Sequence, residues 1–175
     1  ATGNPNSFAV EVTLLTGAKV PGIVIGFSAD VQVSKTIDPD HVLQVLVDHS
    51  NADDRQRGLT CRCAIRGRTI PVKLKLDAQG KIVVNAAGHI DTASEAPAGD
   101  ARGVAFLLDK QLFPTAGEIL AGKVNDLWIL LRGDFVLDTK GKALDAEFAR
   151  AELPTGDHPK SSVFGIQGGL FESWF

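Results

Sequence analysis

The sequence predicts an all-β chain, a two-sheet β-sandwich carrying one or two short helices. Three observations lead there. Apolar residues gather in short β-branched and aromatic runs, not at the spacing of a helix face. Gly, Pro, Asn and Asp separate the runs, and about seven or more strands with turns between them favour a sandwich over a barrel or an α/β fold. The clearest stretch is 126–141. There Leu127–Leu131 and Phe135–Leu137 are bounded by Gly133 and by the turn residues Asp138-Thr139-Lys140-Gly141, which reads as strand, bulge, strand and glycine turn.

The elements follow in order. Residues 8–15 alternate weakly as a first strand; Gly17, Pro21 and Gly22 then signal a turn, and Ile23–Phe27 makes a second strand that Val31 and Val33 extend. Asp38-Pro39-Asp40 breaks the pattern. Val42–Val47 is dense enough in apolar residues to be covered on both faces, and a polar loop runs from Asp48 to Gly58. From Thr60 the parity can be followed: Cys61, Cys63 and Ile65 point one way, Arg62 and Arg66 the other. A hairpin or bulge at Arg66-Gly67-Arg68 changes it, so that Val72, Leu74 and Leu76 carry the apolar face and Lys73 and Lys75 the wet one. Asp77–Gly80 is a turn and Lys81–Asn85 a strand.

Residues 86–102 hold almost no large apolar group and are expected to form a long loop, the best internal candidate for mobility. Val104–Leu108 is a strand. Pro114–Gly122 gives the clearest helix signal, with Thr115 as N-cap, Glu118 three residues on and Gly122 as the stop; Asp145–Leu153 reads as a helical turn. The chain therefore divides into a β-sandwich domain over 1–153 and a glycine- and proline-punctuated tail over 154–175. Ile166, Leu170, Phe171, Trp174 and Phe175 are large apolar residues in that tail, and they need burial on this domain or on a partner.

A length of 175 residues supports one domain with a real core, and 44% hydrophobic with 22% charged residues places the chain among soluble globular proteins. The formal net charge of -3 supplies no global attraction to nucleic acid or anionic membrane. No apolar run approaches the roughly 18 residues of a membrane span, and the first residues lack the basic start and apolar centre of a signal peptide. A soluble chain is expected, with secreted, cell-surface and cytoplasmic locations all open. Cys61 and Cys63 stand two residues apart on one strand, too close for an unstrained disulfide and too few for a Cys-rich zinc site. A pair of small, buried, reduced residues is expected.

Two blocks, 23–47 and 126–145, resemble the opening and closing strands of bacterial immunoglobulin-like domains of the surface-layer type. Phe27-Ser28 stands where that family ends an apolar strand, Thr36-Ile37-Asp38 where it places a turn, and Asp138-Thr139-Lys140-Gly141-Lys142-Ala143-Leu144 where its last Asp-x-x-Gly-x-x-Leu turn falls. The interval between the blocks is longer than a compact member needs, and the residues after Asp145 have no counterpart. The resemblance implies an immunoglobulin-like β-sandwich with a role in surface display, adhesion or spacing, and it brings no active site.

Several clusters invite a functional reading. Arg132-Gly133-Asp134 is an adhesion tripeptide in form, but apolar runs flank it tightly and mark a strand bend. Arg62, Arg66, Arg68, Lys73 and Lys75 belong to a run with no acidic residue and form a candidate anion-binding patch; without interleaved aromatics it does not favour nucleic acid. His89, Asp91, Ser94 and Glu95 crowd the expected loop, yet no catalytic motif frames them. His41, His49, His89 and His158 fall in separate segments, with no metal spacing. Asp126, Asp134, Asp138 and Asp145 could offer oxygen ligands to a calcium ion, but their spacing is not that of the twelve-residue calcium loop, and turn capping is the better reading for Asp138.

These readings converge on a non-catalytic interaction or assembly module without cofactor or metal. It is expected to bind another protein or itself, with Phe171, Trp174 and Phe175 as the partner-binding residues. The alternative is an enzyme or small-ligand-binding protein with its site under 86–102.

Overall fold

The computed structural model describes residues 9–33, 41–48, 56–57, 62–86, 90, 92–97, 101–108, 127–144 and 170–174. Its strands are β1 (Ala9–Thr13), β2 (Lys19–Val33), β3 (Leu43–Asp48), β4 (Arg62–Ala64), β5 (Gly67–Leu74), β6 (Thr92–Glu95), β7 (Ala101–Leu108), β8 (Leu127–Arg132), β9 (Val136–Asp138) and β10 (Leu170–Trp174). In the first sheet β1 pairs with β2, β2 with β7, β7 with β5 and β5 with β6, all antiparallel, and β6 returns to β1 in parallel. Five strands thus close a barrel, and β9 attaches to the far end of β2. The second sheet, β10-β8-β3-β4, is open and antiparallel throughout.

The mainly β expectation holds. Two open sheets, as in an immunoglobulin-like sandwich, do not describe the ring formed by β1, β2, β5, β6 and β7. The reason lies in 86–102, expected as a loop because it lacks large side chains. Thr92–Glu95 within it is β6, the strand that closes the ring, and Ala93 is buried in the barrel core with Val12, Val72 and Leu107. A narrow five-strand interior takes small residues, so the composition that argues for a loop is here the composition of a barrel wall. Both helical readings, Pro114–Gly122 and Asp145–Leu153, lie outside the described residues. Among the described residues the named helical element is a 3-10 turn at Gly133–Phe135, and no helix is long and apolar enough to cross a membrane.

Two local expectations also change. Pro21 and Gly22 do not turn the chain; they sit inside β2, opposite Glu11 and Val10. Pairing of β2 with β7 starts only at Gly22, so at Pro21 the missing N–H interrupts no ladder on that side. The turn lies earlier, at Leu14–Gly17, where Gly17 takes a φ of 83 and donates to the Leu14 carbonyl at 2.8 Å. The strand expected at Lys81–Asn85 shrinks to a single bridge, Leu76 to Ile82.

Two cores result. Val10, Val12, Ile70, Val72, Leu74, Ala93, Ala105 and Leu107 fill the barrel. Outside it, Ile23, Phe27, Val31, Val104, Phe106 and Leu108 of the barrel wall pack against Leu43, Val45, Val47, Ile129 and Leu131 of the second sheet. In Val42–Val47 the residues Val42, Leu43, Val45 and Val47 are buried, and Gln44 and Leu46 are half-buried. Strand β2 pairs with β7 along the barrel and with β9 at its far end, and its register with β7 breaks between Gly26 and Val31. Arg102, opposite the break, donates to the Ser28 carbonyl, to Asp30 Oδ1 at 3.0 Å and to the Gly80 carbonyl at 3.0 Å. With its side chain only 16% exposed, it holds the bulge against the Asp77–Gly80 turn.

Close approach of β2 and β7 makes a specific demand. A Cβ added at Gly103 would lie 2.5 Å from the Ile25 carbonyl oxygen, a backbone atom, whereas one at Gly26 would meet the methyl ends of Ile82 and Leu74 at 2.7 and 2.8 Å. Side-chain ends can move and a paired backbone cannot. Gly103→Ala is therefore expected to cost about 1–3 kcal/mol, and Gly26→Ala less, in urea unfolding of the two variants. A larger loss at Gly26 would show that the interstrand contact is not the tight one.

Candidate functional site

The chain crosses from β4 in the second sheet to β5 in the barrel through Ile65 and Arg66, and the crossing leaves a gap between the layers. Ile65 donates its N–H to the Val45 carbonyl at 2.8 Å, which ties the crossing to β3. Thr69, 2% exposed, donates its hydroxyl to the Leu43 carbonyl at 3.3 Å and ties β5 to the same strand. Between these ties and the Leu14–Val20 hairpin lies an open cleft of about 690 Å³. Its floor is apolar, formed by Leu14, Val20, Leu43, Val45, Ile65 and Phe106, and its polar side chains are His41, Gln44, Arg66 and Arg68.

Gly67 gives the cleft its shape. A Cβ there would run into the Phe106 ring and would lie 2.5 Å from the Leu107 carbonyl oxygen, so the backbone rests directly on the aromatic ring. Arg66 and Arg68 flank this contact, and both line the opening. The two are exposed, and among the described residues no carboxylate lines the cleft and neither arginine is in an ion pair.

The five residues of the sequence-level basic patch are thereby divided. Arg66 and Arg68 come together at the cleft. Arg62 stands with its guanidinium carbon 3.5 Å from the centre of the Trp128 ring, a cation–π contact on the second sheet. Lys73, near the end of β5, and Lys75, just after it, are exposed and are not in the cleft lining. Apart from Leu76, which is exposed, the expected parity of 72–76 is what the structure has. His41 and Gln44 join the site from β3 and the turn before it, a non-local approach that no spacing in the sequence signals.

Cys63 requires a correction, because it is exposed. It pairs with the buried Val47, but β4 is a three-residue edge strand whose residues are all exposed, so shared parity does not bring shared cover. Cys61 lies outside the described residues, as do Arg55, His49, His89, Asp91, Asp126, Asp145, His158 and Phe175. The expected partner residues Phe171 and Trp174 are in β10, opposite Leu131 and Trp128 of β8. Of the cluster around the expected loop, Ser94 is exposed on β6, and Glu95 Oε2 accepts the Leu15 N–H at 2.9 Å, which pins the first hairpin. Arg132-Gly133-Asp134 is the corner at which the chain leaves β8 for β9, with Gly133 buried in the 3-10 turn. Among the described residues no three His, Cys, Asp or Glu side chains form a metal-ligand group.

Asp138 caps its turn as the sequence indicates. Its Oδ1 accepts the N–H groups of Lys140 at 2.8 Å and Lys142 at 2.9 Å, and Asp77 repeats the arrangement with Gln79 and Lys81. The Lys142 N–H chiefly holds the Asp138 carboxyl below its ordinary 3.8; desolvation, next in size, opposes it, and the Lys140 N–H and the two ammonium charges add to the lowering. A carboxyl lowered in the folded state stabilises the fold above its unfolded pKa, and that contribution disappears as pH falls through the folded value. The native protein should melt above Asp138→Asn at neutral pH, with the gap closing only below the ordinary aspartate range. A gap unchanged down to strongly acidic pH would contradict this role for the charge.

Comparison with known proteins found no matching family model, no matching curated protein and no matching solved structure.

Proposed function

We propose that the chain is a non-catalytic β module that binds a segment of a partner protein in the cleft between the barrel and the second sheet. One observation carries the reading: the cleft has a wide apolar floor and nitrogen donors, and among the described residues no carboxylate, hydroxyl or thiol side chain lines it. Nucleophilic catalysis needs an activated oxygen, sulfur or amine, and acid–base catalysis needs groups placed around a reacting atom. Among the described lining residues only His41 could take either role. Recognition asks for less: apolar surface to bury and a few oriented polar groups. The surface-display or adhesive role implied by the immunoglobulin-like blocks is compatible with such a module. A site under 86–102 is less favoured, because Thr92–Glu95 and Ala101–Arg102 are strand there.

Ala64 offers a direct test, being exposed on β4 and part of the cleft lining. Short random peptides selected for binding to the native protein should lose affinity about tenfold or more, ~1.4 kcal/mol, for Ala64→Trp, which fills the cleft from its rim. Undiminished binding by the variant would place recognition elsewhere.

A further inference from the structure

We infer that the group recognised at this cleft is an oxyanion, a carboxylate or a phosphoryl group, carried next to an apolar side chain. The inference rests on the binding role proposed for the cleft and narrows its ligand. Arg66 and Arg68 are separated by one residue, and both border the same opening. Gly67 between them has no side chain to stand in the way, and its backbone is set against the Phe106 ring. Two guanidinium groups are thus anchored on one short piece of chain whose position is fixed from beneath.

Charge balance points the same way. Arg102 is committed to Asp30 and two carbonyls, Lys19 lies 2.7 Å from Glu11, and Arg62 lies over Trp128. At the cleft the two arginines border one opening, and among the described residues no carboxylate is in the lining. Two like charges bordering one opening favour an incoming anion, and a guanidinium presents paired N–H donors that match the two oxygens of a carboxylate or phosphoryl group. His41 and Gln44 add further N–H donors to the lining. Below them, Leu14, Val20, Leu43 and Phe106 supply an apolar floor that a bare ion would leave uncovered. The ligand that satisfies both halves has an anionic head and an apolar body.

Phenyl phosphate, benzoate and benzyl alcohol share an apolar ring and differ in the head group. Their affinities would be measured by NMR titration against the native protein, against the Arg66→Ala, Arg68→Ala double variant, and against a Lys73→Ala, Lys75→Ala control. Thermal melts would establish that each variant is folded. The native protein should bind at least one anion more tightly than benzyl alcohol. That anion should weaken by about tenfold in the arginine variant, since two charge-assisted contacts are removed, remain unchanged in the lysine control and lose affinity as salt rises. Preference for phenyl phosphate would identify a phosphoryl source and preference for benzoate a carboxylate source. Equal binding of all three compounds, or equal loss in the arginine and lysine variants, would overturn the inference. Selected peptides without acidic residues that are still blocked by Ala64→Trp would leave the binding role standing and refute the anion.

Discussion

Val104, Phe106 and Leu108 face the second sheet while Ala105 and Leu107 face the barrel interior, so β7 has no solvent side along most of its length. Every other part of the fold depends on this shared wall. Each large side chain removed from water contributes on the order of 1.5–3 kcal/mol, but here the residues on one strand are divided between two cores. The barrel cannot lose β7 without exposing the surface on which the second sheet rests. The second sheet cannot leave without exposing Val104, Phe106 and Leu108. Arg102, the one β7 residue that is not buried, faces the bulge in β2 and holds it where that strand passes from the barrel to β9.

The cleft is a consequence of the same layering. A chain that must pass from a sheet on the outside of a barrel into the barrel wall needs a crossing, and the crossing cannot be paired on both sides. At Ile65–Thr69 this one is held by Val45 and Leu43 carbonyls, which accept from Ile65 and Thr69, and by the Phe106 ring beneath Gly67. The side chains with no place in either core are Arg66 and Arg68, and they surround the gap. Phe106 therefore serves stability and the site at once: it fills the core between the layers and forms part of the cleft floor.

Much of this was legible in the sequence. The alternation in 70–75, the corner at Gly133 and the capped turn at Asp138 are local, and local spacing reports them. The closed barrel is not local. It depends on β6, whose alanine, serine and threonine look like loop residues until the narrowness of the ring is known, and on the parallel pairing of β6 with β1 across some eighty residues of chain. Cys63 shows a related limit, since parity gives the face of a strand and not what lies above it. At the site, Arg66 and Arg68 could be named from the sequence, but only the crossing of the layers separates them from Arg62, Lys73 and Lys75. His41 and Gln44 enter the site by packing alone.

The most direct test of the shared wall compares the two layers during one unfolding experiment. Both tryptophans, Trp128 and Trp174, are on strands of the second sheet, so intrinsic fluorescence follows that layer. Amide protection at Val12 and Val72 follows the barrel. In urea the two signals should lose their native values at one common midpoint, because neither core survives without β7. Loss of the tryptophan signal while Val12 and Val72 remain protected would show that the barrel stands alone, and that the second sheet is an accessory layer instead of half of one cooperative unit.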